Sequence, residues 1–169
     1  MVYLLDASVL MTASNQYYPI DRVPEFWDWL EFQATEKRLA IPIEIIEEIR
    51  DGPKDAEKDL LYAWLQKEST KIAILLDEDV DIAIVRRIVA EGYAPDLTDD
   101  QVEQLGRDPF LMAHAAAKPD RCVVTTEVSK PSKIRQNRHI PDVCKTLGIK
   151  CCDPFAMYKT LNFNTNWKT

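Results

Sequence analysis

A chain of 169 residues with 46% apolar content can bury one substantial core and is short for two. Its formal charge of −7 sets a mean field that repels phosphate. That excludes a general polyanion-coating protein, and it admits a nucleic-acid enzyme only where cations or basic side chains are locally gathered.

The opening residues carry no basic stretch leading into an apolar segment, and no apolar run approaches the ~20 residues that span a bilayer. A cytoplasmic protein without a membrane anchor is therefore expected. The four cysteines (Cys122, Cys144, Cys151, Cys152) form no Cys-x-x-Cys pair and read as reduced, structural thiols. Only four glycines occur, at 52, 92, 106 and 148, too few and too scattered to write a dinucleotide fingerprint or a P-loop.

In chain order, Val2-Tyr3-Leu4-Leu5 is a short continuous apolar run, the pattern of a strand buried on both faces. Asp6 follows at its carboxyl end, where open α/β sheets place ligand chemistry, although Asp6 or Ser8 is equally suited to cap the next helix. That helix begins at residues 9–13 and loosens over 15–19. Residues 24–35 carry Phe26, Trp27 and Leu30 at helical spacing behind a first-turn Pro24, with Trp27 and Trp29 read as packing rather than as a base-stacking platform. A brief strand over 39–42 leads into a helix over 43–50, ended near Gly52-Pro53. On it Glu44 and Glu48 share a face while Glu47 is rotated about 100° from Glu48.

Residues 55–68 form a second amphipathic helix, 72–76 an edge strand or extended linker, and 80–91 a further helix stopped by Gly92. Arg86 and Arg87 read as solvated charge. Thr98 with Gln101 three residues on makes a capping box. Asp108 before Pro109 has the form of an N-cap with proline at the first helical position, opening a small-residue helix on which His114 sits at the edge of the core. Arg121-Cys122-Val123-Val124-Thr125 repeats the buried-strand pattern and ends in Thr126-Glu127, so an acid again follows a strand. If the two strands are neighbours, about 4.8 Å apart, Asp6 and Glu127 come close together.

From Val128 to Pro141 no acid occurs, while Lys130, Lys133, Arg135, Arg138 and His139 are all present. This segment reads either as a solvated loop or as a guide for phosphate. A short helix over 141–148, a last strand over 149–152 and a closing helix over 154–161 complete a single domain, residues 1–161. A polar tail, 162–169, follows, in which Phe163 and Trp167 can dock.

Asp6, Glu48, Asp108 and Glu127 thus come from four separate segments. Four carboxylates facing one hollow cannot all stay ionised unaided. Divalent cations resolve that conflict, and an all-oxygen donor set suits Mg²⁺ or Mn²⁺. Such a site supports metal-assisted phosphodiester hydrolysis without a histidine or cysteine nucleophile.

The blocks Tyr3-Leu4-Leu5-Asp6-Ala7-Ser8-Val9-Leu10, Glu48-Ile49, Asp108-Pro109-Phe110-Leu111-Met112-Ala113 and Val123-Val124-Thr125-Thr126-Glu127 resemble, in order and spacing, the four acidic blocks of PIN-domain nucleases. Tyr17-Tyr18-Pro19, Phe26-Trp27-Asp28-Trp29-Leu30 and Ile140-Pro141-Asp142-Val143-Cys144 look more narrowly like an uncharacterised PIN-like subgroup akin to VapC toxins. The resemblance implies a PIN-like three-layer α/β/α fold with a central parallel sheet. It implies an Mg²⁺- or Mn²⁺-dependent endoribonuclease in which Asp6, Glu48, Asp108 and Glu127 hold the metal and Ser8 supports the first acid; by their charge alone, Lys130, Lys133, Arg135 and Arg138 are the candidate contacts to an RNA backbone. Within the toxin branch it also implies an antitoxin partner and a homodimer. Two departures stand out: Glu127 is a methylene longer than the aspartate common in the last block, and Arg107 occupies a place often held by a small residue or acid. Glu44 or Glu47 is an alternative to Glu48. Two other readings are a catalytically inert PIN-like module that binds RNA or protein, and a phosphotransferase or phosphatase of the Asp-x-Asp type using Asp6 as nucleophile; the latter wants an acid where Ser8 stands.

Overall fold

The computed structural model describes residues 1–51 and 56–168. Five parallel strands form one sheet: β1 (Val2–Leu5), β2 (Leu39–Pro42), β3 (Leu75–Leu76), β4 (Arg121–Val124) and β5 (Cys151–Cys152), in the spatial order β3-β2-β1-β4-β5. Helices flank it, giving a three-layer α/β/α architecture. They are α1 (Ala7–Thr12), α2 (Pro24–Thr35), α3 (Ile43–Asp51), α4 (Ala56–Gln66), α5 (Glu68–Ile74), α6 (Ile82–Arg87), α7 (Asp99–Glu103), α8 (Asp108–Ala116), α9 (Ile140–Leu147) and α10 (Pro154–Thr160). Among the described residues no helix is long and apolar enough to cross a membrane.

The all-apolar strands are explained by their position. Parallel strands need crossover helices, which cover both faces, so no face is left for alternating polar residues. Leu4 and Leu5 in β1 and Val123 and Val124 in β4 are completely buried, and the two strands run in register with Leu5 opposite Val124. The chain steps outward from β1 to β2 and β3, then returns to place β4 on the other side of β1. The order reverses at the β1–β4 boundary, the crevice where open parallel sheets bind ligands.

Several local expectations meet a different outcome. The helix after β1 widens into a π turn, Ala13–Tyr17, closed by Tyr18 N–H donating to the Ala13 carbonyl at 2.7 Å. Residues 72–76 divide, with α5 taking all but the two-residue edge strand β3. Gly92 does not stop a helix. α6 continues into a second π turn, Ile88–Tyr93, because Gly92 lies against α9: a β-carbon there would stand 2.6 Å from Val143 Cγ1 and 3.0 Å from Leu147 Cδ1. Gly92→Ala is expected to cost about 1–3 kcal/mol by overpacking this contact, measured as a lower midpoint in chemical denaturation at unchanged slope. The predicted helix end at Gly52-Pro53 and the predicted helix start at Asp55 lie outside the described residues.

Trp27 and Trp29 are buried, Trp27 with its indole N–H donating to the Tyr18 carbonyl at 2.7 Å, so the pair packs the core. Tyr18 stacks on Phe26 at 4.2 Å, and Phe163 and Tyr158 meet Phe26 edge-on at 5.3 Å. The tail therefore docks: Phe163 joins this aromatic cluster, and Trp167 donates to the Glu25 carbonyl at 2.9 Å while lying 4.9 Å from the Phe32 ring.

Candidate functional site

Asp6 immediately follows β1 and has the extended backbone of a helix N-cap, yet its side chain makes no capping bond. Its Oδ2 accepts from Ser8 Oγ at 2.5 Å and from Thr125 Oγ1 at 2.8 Å, which leaves Oδ1 available. Thr125 bridges onward, its Oγ1 accepting the Glu127 backbone N–H at 3.1 Å, while Ser8 Oγ accepts the Thr126 N–H at 3.3 Å. Two short chain segments at the ends of adjacent strands are thus tied by reciprocal bonds. Glu127 is anchored in the same manner: its Oε2 accepts from the Ile140 N–H at the start of α9 at 2.7 Å. Sequence reasoning overlooked Thr125, and its position as the last residue before the Thr126-Glu127 pair is the signal that could have found it. Thr125→Val is expected to destabilise the fold by about 1–3 kcal/mol, because the Glu127 N–H loses its acceptor and Asp6 a donor. A denaturation midpoint equal to that of the unsubstituted protein would contradict this.

Asp108 departs from its expected role. Arg107 holds the N-cap position, and Asp108 is the first helical residue and lines one hollow with the other acids. Burial first, then Asp6, Glu127 and Glu48 in that order, push its pKa from the ordinary 3.8 up to about 8. Among the described residues no hydrogen bond or cation offsets this. Glu48 is likewise pushed up, by burial and then by Asp6, with the Arg107 guanidinium acting in the opposite sense. Together Asp6, Glu48, Asp108, Glu127 and Ser8 line one hollow of about 380 Å³, joined by Asn15 and Gln16 from the first π turn.

The alternatives to Glu48 are engaged elsewhere. Glu44 Oε2 lies 3.2 Å from Nε2 of the buried His114, and Glu47 pairs with Arg107 at 3.7 Å. His114 is thus a fully buried, partnered side chain and not an edge residue. Of the basic segment, Arg135 pairs with Asp96 at 2.8 Å, and Arg138 donates to the Gly92 and Asp142 carbonyls and to Thr146 Oγ1. Both arginines brace the fold; Lys130 and Lys133 are exposed. None of the four lines the acidic hollow. The loop is also clasped by Asp142, which accepts from Ser129 Oγ at 2.5 Å and from the Lys130 N–H at 2.7 Å.

The donors suit a hard cation: four carboxylates, two with one oxygen already anchored. Among the described residues no three His, Cys, Asp or Glu side chains form a preset metal cluster; the acids line the hollow instead. Near them Tyr93 is buried, and its hydroxyl has no hydrogen-bond partner among the described residues. Burial, Asp108 and Glu127 push its ionisation upward, so it stays a neutral donor. Tyr93 is not among the residues that line the hollow.

No curated protein and no solved structure matches the chain. One family model does, over residues 3–165, and by that match the chain belongs to DUF4411, a domain of unknown function.

Proposed function

We propose that the protein is a divalent-cation-dependent endoribonuclease. The observation that carries this reading is the shared hollow itself: Asp108 lines it with Asp6, Glu48 and Glu127, without a hydrogen-bonding or cationic partner among the described residues, and burial and the three other acids push its pKa up. A divalent cation bound among the acids would relieve that repulsion. Asp6 and Asp108 would hold Mg²⁺ or Mn²⁺, with Glu48 and Glu127 as further oxygen ligands. When bound, the ion supplies an activated water and neutralises charge on the phosphate.

The chain's own groups do the remaining work. Ser8 and Thr125 fix Asp6 through one oxygen so that the other faces the hollow, and the Ile140 N–H fixes Glu127 in the same way. Asn15 and Gln16 stand at the rim as uncharged amide donors for phosphate oxygens. Arg107, beside Glu47 and Glu48, brings positive charge to an otherwise acidic site. In this reading RNA is the substrate. The resemblance to VapC-like toxins extends the proposal to a toxin with an antitoxin partner, working as a homodimer in the cytoplasm.

The test is incubation of the full chain with labelled single-stranded RNA in Mn²⁺ and in chelator. Cleavage that appears only with the cation is the expected result. Intact RNA together with no thermal response to millimolar Mn²⁺ would overturn the proposal and leave an inert binding module.

A further inference from the structure

A second hollow adjoins the acidic one, and its chemistry is different. It measures about 160 Å³ and is lined by Val9, Thr12, Tyr17, Asp153, Phe155 and Tyr158, among others. Thr12 borders both hollows. The same π turn, Ala13–Tyr17, presents Asn15 and Gln16 to the acids and Tyr17 to the apolar side. A helix that widens for one turn loses regular hydrogen bonding, and such turns are frequent where side chains must be re-aimed at functional sites.

Two aromatic rings stand at this second hollow without being buried. Tyr17 and Phe155 are each 52% exposed, set edge to face with centroids 5.4 Å apart. They are braced from below: Phe155 meets Tyr158 at 5.8 Å, and Tyr17 meets Tyr18 at 6.4 Å. Large rings left half in water, yet held in place from beneath, form a ready stacking platform. At the rim, Asp153 Oδ1 accepts the Ala156 N–H at 2.9 Å, leaving Oδ2 as an acceptor. A carboxylate there disfavours a phosphate and accepts N–H groups such as those on a base edge. The volume is well below the ~300 Å³ at which drug-sized ligand pockets begin, which limits the occupant to about one ring system.

We propose that this hollow binds one unstacked base of a single-stranded RNA whose backbone lies across the four acids. The inference rests on the nuclease reading for the identity of the strand, and it names the form of RNA the site takes. Base-paired RNA keeps its bases stacked inside the helix and cannot fill the hollow, so single strands are selected by shape.

The experiment has two readouts. Steady-state cleavage of a single-stranded RNA in Mn²⁺ is compared for the unsubstituted protein, Tyr17→Ala, Phe155→Ala and Tyr17→Trp. Each alanine variant is expected to raise KM by about 5- to 100-fold, the range of one lost base–aromatic stack, and to change KM more than kcat; Tyr17→Trp restores it. In parallel, the Asp108→Asn protein, expected to lose the cation and with it cleavage, is mixed with a single-stranded oligonucleotide carrying 2-aminopurine, whose fluorescence is quenched when the base stacks on a ring. Quenching is expected, and it is lost when Tyr17→Ala is added. Both rings are half exposed, so their truncation leaves the core intact. Cation-dependent cleavage with KM unchanged in both alanine variants and no Tyr17-dependent quenching overturns the base site and spares the nuclease reading. Tyr17-dependent quenching in a protein that never cleaves RNA supports the base site and overturns the nuclease reading.

Discussion

Asp6→Asn is expected to reduce Mn²⁺-dependent RNA cleavage by about 10²- to 10³-fold or more while leaving the protein folded. The side chain stays the same shape, and its oxygen can still accept from Ser8 and Thr125, the two donors that hold it now. What disappears is the negative charge on a ligand fixed at the boundary between β1 and β4. Without it the remaining acids bind a hard cation more weakly, and the activated water is lost with the ion. The measurement is cleavage of a labelled single strand, paired with a thermal melt by circular dichroism. A cleavage rate equal to that of the unsubstituted protein, at an equal melting temperature, would remove Asp6 from the chemistry.

Asp108→Asn is expected to stabilise the cation-free protein, and by more as pH rises. Asp108 has an ordinary value of 3.8 when exposed and is raised to about 8 in the fold. Its protonated form is the one the fold tolerates. Its contribution is therefore fully present below about pH 4, is lost as pH rises toward about 8, and stays lost above that. Across this window the gap between Asp108→Asn and the unsubstituted protein widens by at most about 1.4 kcal/mol per pH unit, and by less where Glu48, whose pKa is also raised, titrates with it. Denaturation midpoints at pH 5, 6.5 and 8 in chelator measure the slope. Millimolar Mn²⁺ should then stabilise only the unsubstituted protein, by about 2.7 kcal/mol when the cation stands at a hundred times its dissociation constant. A gap that does not change with pH would mean that the acids do not crowd one another.

The sequence was most legible where local chemistry and tertiary demand agree. The runs Val2–Leu5 and Cys122–Val124 are apolar because the strands they form are covered on both faces, and the Thr98–Gln101 capping box forms as spelled. The acids at the ends of β1 and β4 were legible for the same reason, since a polar residue that breaks a buried run must emerge at the strand's end. Asp108 was legible as important but not in its role, because Asp-Pro is an ordinary helix start and only the fold shows that it lines one hollow with the other acids.

Other features had no local signal. Arg135 and Arg138 look like free charge in a basic loop, yet they are consumed by Asp96 and by the Gly92 carbonyl, partners about forty residues away. Gly92 reads as a helix stop and is instead the point where α9 presses on a π turn. Residue types and their spacing determined the buried strands and the acids that follow β1 and β4, because periodicity and strand-end polarity are properties of short segments; Glu48 and Asp108 stood out through the resemblance of their blocks. Tertiary structure alone decided that Asp6, Glu48, Asp108 and Glu127 share one hollow, that Glu44 turns away to His114, and that Tyr17 and Phe155 stand beside the acids. Those choices depend on strand order and helix packing, which set distances between residues that the chain itself keeps far apart.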